Sequence, residues 1–167
     1  GRRVGHSLSS KKKVLLSQTL PKIKLKQEIA NKYLIEKVKK EQKKLTLEIG
    51  FGSGENIIYM LNREPETYFL GCEPFISGVA NFLDLLEEKN FERVKLFCGD
   101  ARVILNNLSE KIFSRIIILF PDPWPKFKHH KRRIINKNNL ELFSKYLIDG
   151  GTIYTATDIK GYFDEII

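Results

Sequence analysis

The sequence predicts an α/β fold, a mostly parallel sheet with helices on both faces, built as one domain. Three observations carry that expectation. From Leu45 onward short strand-like runs alternate with helical patterns, as crossover connections between parallel strands require. The β-branched run Ile116–Phe120 has strand length and falls far short of a membrane span. The chain has 167 residues, 42% of them apolar, which suffices for one domain with its own core.

Taken in order, residues 1–25 show little periodicity and read as an irregular arm. Residues 27–43 predict a helix, with Ile29/Tyr33 and Leu34/Val38 four apart and lysines elsewhere. Strands are expected at Leu45–Ile49, Tyr68–Cys72, Val94–Cys98, Arg115–Phe120 and Thr152–Ala156. Helical patterns lie between them, marked by Ile57/Ile58/Leu61, Val79/Phe82/Leu83/Leu86, Val103/Leu108 and Leu140/Phe143/Leu147. No internal repeat or low-complexity linker interrupts residues 45–160. The expected division is a basic arm and helix over 1–44 and an α/β domain over 45–167. In such sheets ligands bind at the carboxyl ends of the strands, where the strand order reverses.

Charge is segregated along the chain. Residues 1–45 carry 14 Lys/Arg against 3 Asp/Glu, whereas residues 46–167 carry 15 against 17. Residues 126–137 alone hold six of those 15 and no acid. The net +9 therefore sits in the arm and one loop on an otherwise acidic body, which points to a polyanionic partner, most simply nucleic acid. For the arm alone, a lysine-solvated tail is the rival reading. Val14–Leu20 is interrupted by Ser17, Gln18 and Thr19 and fails as a signal-peptide core, so the expected location is cytoplasmic, with no membrane partner. Cys72 and Cys98 lack Cys-x-x-Cys or paired His/Cys ligands and read as reduced thiols, with no metal site. The chain opens without Met and stops inside Asp164-Glu165-Ile166-Ile167, which reads as a fragment.

Leu47-Glu48-Ile49-Gly50-Phe51-Gly52-Ser53-Gly54-Glu55 joins the first strand to the first helix of the domain. Gly50, Gly52 and Gly54 allow a tight turn and close backbone approach to a ligand. A dinucleotide fingerprint needs its third glycine at 55, where this chain has Glu55, which would repel a pyrophosphate at the helix N-terminus. Glu48 adds a carboxylate before the turn. Glu73 can take ribose hydroxyls and Asp100 an adenine amino group. Such a loop suits a ligand with ribose, adenine and a positive centre but no phosphate. S-adenosylmethionine meets that description. The alternative keeps the glycines as turn formers and the acids as caps.

Pro121-Asp122-Pro123-Trp124 ends the fourth strand. The prolines restrict their own φ and that of the preceding residue, so Asp122 and Trp124 are held with little freedom. Trp124 can stack on a base or cover the sheet edge. Lys126, Lys128, His129, His130, Lys131, Arg132 and Arg133 follow as a basic loop suited to phosphates. His129 and His130 make poor metal ligands, since adjacent imidazoles point apart and no third ligand is near. Thr155-Ala156-Thr157-Asp158 ends the fifth strand at the same mouth, with Asp158 able to accept from a base edge.

At these residues the sequence resembles the bacterial tRNA (guanine-N7)-methyltransferase family. The resemblance runs from Gly1-Arg2-Arg3 to Tyr162. It is most specific at Phe120-Pro121-Asp122-Pro123-Trp124-Pro125-Lys126 with His129-His130-Lys131-Arg132-Arg133, and extends to the glycine loop and Ala156-Thr157-Asp158. It implies a Rossmann-like class I methyltransferase fold and S-adenosylmethionine as cofactor, bound by Glu48, Glu73 and Asp100. It also implies Asp122 at the active centre, between cofactor and base. By the same resemblance Lys126 and Asp158 contact the substrate, Lys128–Arg133 contact the RNA, and the target is a guanine in the tRNA variable loop. Members of that family continue into a further helix, an antiparallel strand pair and a Thr-x-x-Glu segment, so the domain over 45–167 is expected to be C-terminally incomplete. Two rivals remain: an amino-group methylase of adenine, whose tetrad has the order Asp-Pro-Pro-Trp, and a non-catalytic RNA-binding module or subunit that kept the fold. A nicotinamide oxidoreductase is disfavoured by Glu55 and the glycine spacing.

Overall fold

A computed structural model describes residues 7–167; Gly1-Arg2-Arg3 lies outside the described residues. Five parallel strands form one sheet in the order β3-β2-β1-β4-β5. They are β1 (Lys44–Ile49), β2 (Thr67–Cys72), β3 (Val94–Phe97), β4 (Phe113–Leu119) and β5 (Leu147–Ala156). The chain winds from β1 outward to β3, then crosses back to β4 and β5, so the order reverses between β1 and β4. The expected fold class holds: this is a Rossmann-like α/β fold.

Both faces of the sheet are buried, and strand alternation assigns residues to them. Leu45, Leu47 and Ile49 of β1 share one core with Leu70, Cys72, Ile116 and Ile118. Helices α3 (Gln27–Lys39), α6 (Ala101–Leu105), α7 (Lys137–Lys145) and α8 (Lys160–Ile166) contribute to that core. Phe69, Val94, Leu96 and Ile117 belong to the second core, with α4 (Glu55–Arg63) and α5 (Ile76–Leu85). Thr46 and Glu48 alternate with the apolar residues of β1, and both are buried.

The strand positions agree with the sequence reading to within a few residues, except at β5. That strand begins at Leu147 and passes through Gly150-Gly151, with Gly150 at φ 77°. Glycines inside a strand hide it from a propensity reading. The pairing with β4 is irregular there, jumping from Phe113↔Leu147 to Arg115↔Thr152. Helix α3 stops short of Lys43 because the chain turns through Gln42 in the left-handed region, φ 52°.

The N-terminal segment is the main correction. Expected as an irregular arm through residue 25, it forms α1 (Ser10–Gln18) and α2 (Leu20–Ile23). The Ser9 hydroxyl caps α1 by accepting from the Lys12 amide. Lys11 pairs with Asp84 of α5, while Leu20, Ile23 and Leu25 are buried. The Leu25 amide donates to the Leu96 carbonyl at 2.7 Å, so this segment covers the outer edge of β3. Two short helices with few apolar residues leave no readable period, and tertiary packing makes them. Among the described residues no helix is long and apolar enough to cross a membrane.

Candidate functional site

The carboxyl ends of β1, β2, β3 and β4 open into one cleft of about 580 Å³. Its lining includes Gly50, Glu73, Asp100, Asp122, Trp124 and Arg132. Residues distant in the sequence thus meet at the reversal point of the sheet.

The loop after β1 uses its glycines conformationally: Gly50, Gly52 and Gly54 have φ 70°, 58° and 79°. At Gly54 a second constraint applies, because a Cβ there would lie 2.1 Å from the Phe82 ring of α5. Glu73, just past β2, locks the loop from below. Its Oε2 accepts from the Gly52 amide and its Oε1 from the Phe75 amide, each at 2.9 Å. Burial pushes the Glu73 pKa up; those two amides oppose the shift and the Asp122 charge adds to it. Asp122 is exposed at the mouth, and its field reaches Glu73 from the β4 side. Two carboxyl groups facing one cleft make it a place for a cation.

Asp100 caps α6, its Oδ1 accepting from the Arg102 amide at 2.9 Å. The Arg102 guanidinium lies across both carboxylate oxygens, at 2.5–3.1 Å, and holds the Asp100 pKa low. A ligand amino group bound at Asp100 must share or replace that guanidinium.

Glu48, Gly52 and Gly54 do not line the cleft. Glu48 stands behind the loop, 3% exposed, accepting from Asn56 Nδ2 of α4 at 2.9 Å. Burial raises its pKa to about 7, with Asn56 and Arg115 pulling the other way and Glu55 adding to the rise. The geometry makes Glu48 a brace between β1 and α4.

The turn after β4 is strained. Phe120 and Trp124 have φ 46° and 43°, a region that non-glycine residues rarely occupy. The Phe120 amide donates to Ala156 at 2.8 Å, which ties the turn to the end of β5. The His129 ring meets Trp124 edge-on at 5.8 Å and the Arg132 guanidinium lies 5.0 Å from the indole. Residues 127–132 form a 3₁₀ helix in which Lys128, Lys131 and Arg132 are exposed. Lys126 precedes it, also exposed. Asp158 is exposed two residues beyond β5, on the same edge of the sheet but outside the cleft lining.

The basic segment is not uniform. His130 and Arg133 turn inward to Glu165 of α8, and Arg133 is only 4% exposed. The sequence reading missed two residues at the cleft or its supports, Phe75, which lines it, and Arg102, and it read the inward-facing Arg133 as an RNA contact. Arg102 had a signal, an arginine two positions after an aspartate at a helix start. The other two had none that separates them from their neighbours.

A family model described as "Putative methyltransferase" matches residues 42–167. The chain is 42% identical to a tRNA (guanine-N(7)-)-methyltransferase of Wolbachia pipientis wMel, over 81% of this chain and 62% of that protein. It is 37% identical to a protein of the same description from Chelativorans sp., over 97% of this chain and 70% of the relative. A "Bifunctional methyltransferase" of Rickettsia conorii is 42% identical over 99% of this chain, which spans 30% of that protein. Among solved structures, a 30S ribosomal A1408 methyltransferase from an uncultured bacterium superposes with TM-score 0.58 at 18% identity, covering 83% of this chain and 64% of that one. That likeness concerns the fold.

Proposed function

The chain belongs to the tRNA (guanine-N7)-methyltransferase family, and from that premise we propose that it transfers a methyl group from S-adenosylmethionine to N7 of a guanine in the tRNA variable loop. The observation that carries this reading is the single cleft in which Gly50, Glu73, Asp100 and Asp122 meet beside Trp124 and Arg132.

The residues present fit the cofactor. Glu73 and Asp122 line one cleft, and among the described residues no cation offsets Glu73, so a positively charged ligand relieves a repulsion already in place. Gly50, which lines the cleft, leaves open space where a side chain would project, so a ligand can approach the backbone closely. Glu73 holds the ribose, Asp100 the adenine, and Glu48 acts from behind by keeping the loop on α4.

S-adenosylmethionine supplies, when bound, a methyl group on a positively charged sulfur, open to in-line attack by a lone pair. Guanine N7 is an unprotonated acceptor on the Hoogsteen edge, so the chain need not remove a proton from it. The protein's task is positioning, which is worth up to about 7–11 kcal/mol in favourable cases. Asp158, with Asp122, accepts from guanine N1–H and the exocyclic amine, a donor pair adenine lacks. Asp122 also offsets the positive charge that the ring gains. Lys126 contacts the substrate, while Lys128, His129, Lys131 and Arg132 hold phosphates around a base drawn out of its stack. A cytoplasmic location follows from a tRNA substrate.

The test uses radiolabelled S-adenosylmethionine, a tRNA transcript and the complete protein, followed by borohydride and aniline cleavage, which cuts at 7-methylguanine. One cut in the variable loop is expected. Label incorporated without cleavage, or lost on replacing an adenine, would overturn the assignment to N7.

A further inference from the structure

Arg133 is a cation that the reaction above does not use. Its guanidinium is buried where three segments meet. Nε donates to the Pro123 carbonyl at 2.8 Å, and Nη1 forms an ion pair with Glu165 Oε2 at 2.5 Å. Nη2 lies 3.1 Å from His130 Nε2, and the guanidinium carbon sits 4.6 Å from the centre of the Tyr162 ring. Facing a donor, His130 Nε2 accepts, which leaves Nδ1–H for Glu165 Oε1 at 3.2 Å. Tyr162 is wholly buried, and its hydroxyl accepts from the Ile135 amide. Lys131 and Arg132, the two residues before Arg133, are exposed.

The Pro123 carbonyl belongs to the peptide that leads into Trp124, the residue held at φ 43°. A non-glycine residue in that region is strained and persists only where its surroundings enforce it. The hydrogen bond from Arg133 is such an enforcement, and it acts one residue beyond Asp122. Arginine suits the task because its planar fork serves a carbonyl, a carboxylate and an imidazole together, whereas lysine offers a point charge.

We propose that Arg133 is a positioning residue: it clamps the Pro121–Pro125 turn to α8 and so fixes Asp122 and Trp124 against the cleft, instead of contacting RNA. Its effect on rate rests on the methyl-transfer reading; its effect on the turn does not.

The chain's single tryptophan is Trp124, so its emission reports the turn directly. In the complete protein, with any further tryptophan replaced by Phe, Arg133→Lys should raise acrylamide quenching of Trp124 about twofold. It should also lower kcat at saturating tRNA at least tenfold, with the slope of log affinity against log salt unchanged. Glu165→Gln should shift quenching in the same direction by less, and it decides the matter if Arg133→Lys does not fold. Lys131→Ala is the contrasting variant: a slope shallower by about 0.7–0.9 with Trp124 emission unaltered. Wild-type quenching in the Arg133 or Glu165 variant, or a Lys131-like loss of slope in Arg133→Lys, overturns the proposal. If the wild-type protein methylates no guanine N7, the proposed function fails while the quenching comparison still decides the role of Arg133.

Discussion

The two walls of the cleft are built differently. On the β1–β3 side the backbone carries the geometry: three left-handed glycines, a Glu73 carboxylate seated on two amides, and Asp100 at a helix start. On the β4 side the chain leaves the sheet through two strained non-glycine residues and is held by side chains from elsewhere, Arg133, Glu165 and Tyr162. The first wall is set by backbone turns at the ends of three adjacent strands and by the carboxylate that ties two of them together. The second depends on a long-range clamp. A rigid wall suits an invariant ligand, and a clamped one suits a large substrate that arrives and leaves.

That contrast separates the variants. The largest effect is expected at Asp122→Ala, which should lower single-turnover methyl transfer by about 10²–10³, as loss of one charge-stabilising group does. Cofactor affinity by calorimetry should stay within a few-fold, because the opposite wall is untouched. Equal losses in both would merge the two walls into one unit. Gly54→Ala tests the backbone wall. A left-handed alanine pressed on Phe82 should cost about 2–4 kcal/mol in urea unfolding and weaken the cofactor strongly. An unchanged midpoint would remove the glycine argument.

Much of the backbone wall was legible in the sequence, because spacing of glycines and placement of acids after strands are local patterns. The five strands followed from alternation, apart from the part of β5 hidden by Gly150-Gly151. The clamped wall was legible only in outline. Pro-Asp-Pro-Trp announced a stiff turn, but nothing local distinguishes Arg133 from Arg132, and burial against α8 is decided by the third dimension. Glu48 shows the same limit from the other side. Its place before the loop pointed at the ligand, whereas strand alternation turns it to the α4 face, beside Asn56. The same limit hid α1 and α2, whose helices come from packing on α5 and β3.

Glu48 sharpens the distinction by pH. Burial raises its pKa to about 7 from an ordinary 4.5, so folding favours the protonated form. The stability this contributes is complete below pH 4.5 and is lost as pH rises through about 7. Glu48→Gln, which cannot ionise, should match the wild type near pH 4.5 and exceed it above pH 7 by up to about 3 kcal/mol in urea unfolding. A constant difference across that window would mean that Glu48 does not titrate in the fold. The smallest effect belongs to Arg102→Ala. An exposed ion pair is worth about 0–1 kcal/mol, so freeing Asp100 should change cofactor affinity less than about fivefold, towards tighter binding. A tenfold weakening would make Arg102 part of the ligand site.

The central claim is that the acidic cleft holds a cationic methyl donor next to the clamped turn. A crystal structure of the complete protein with sinefungin, the amine analogue of the donor, tests it most directly. The account predicts the ribose on Glu73, the adenine beside Asp100 and the ammonium directed towards Asp122. Density for the adenosyl group outside the cleft, or an ammonium turned away from Asp122, would contradict it.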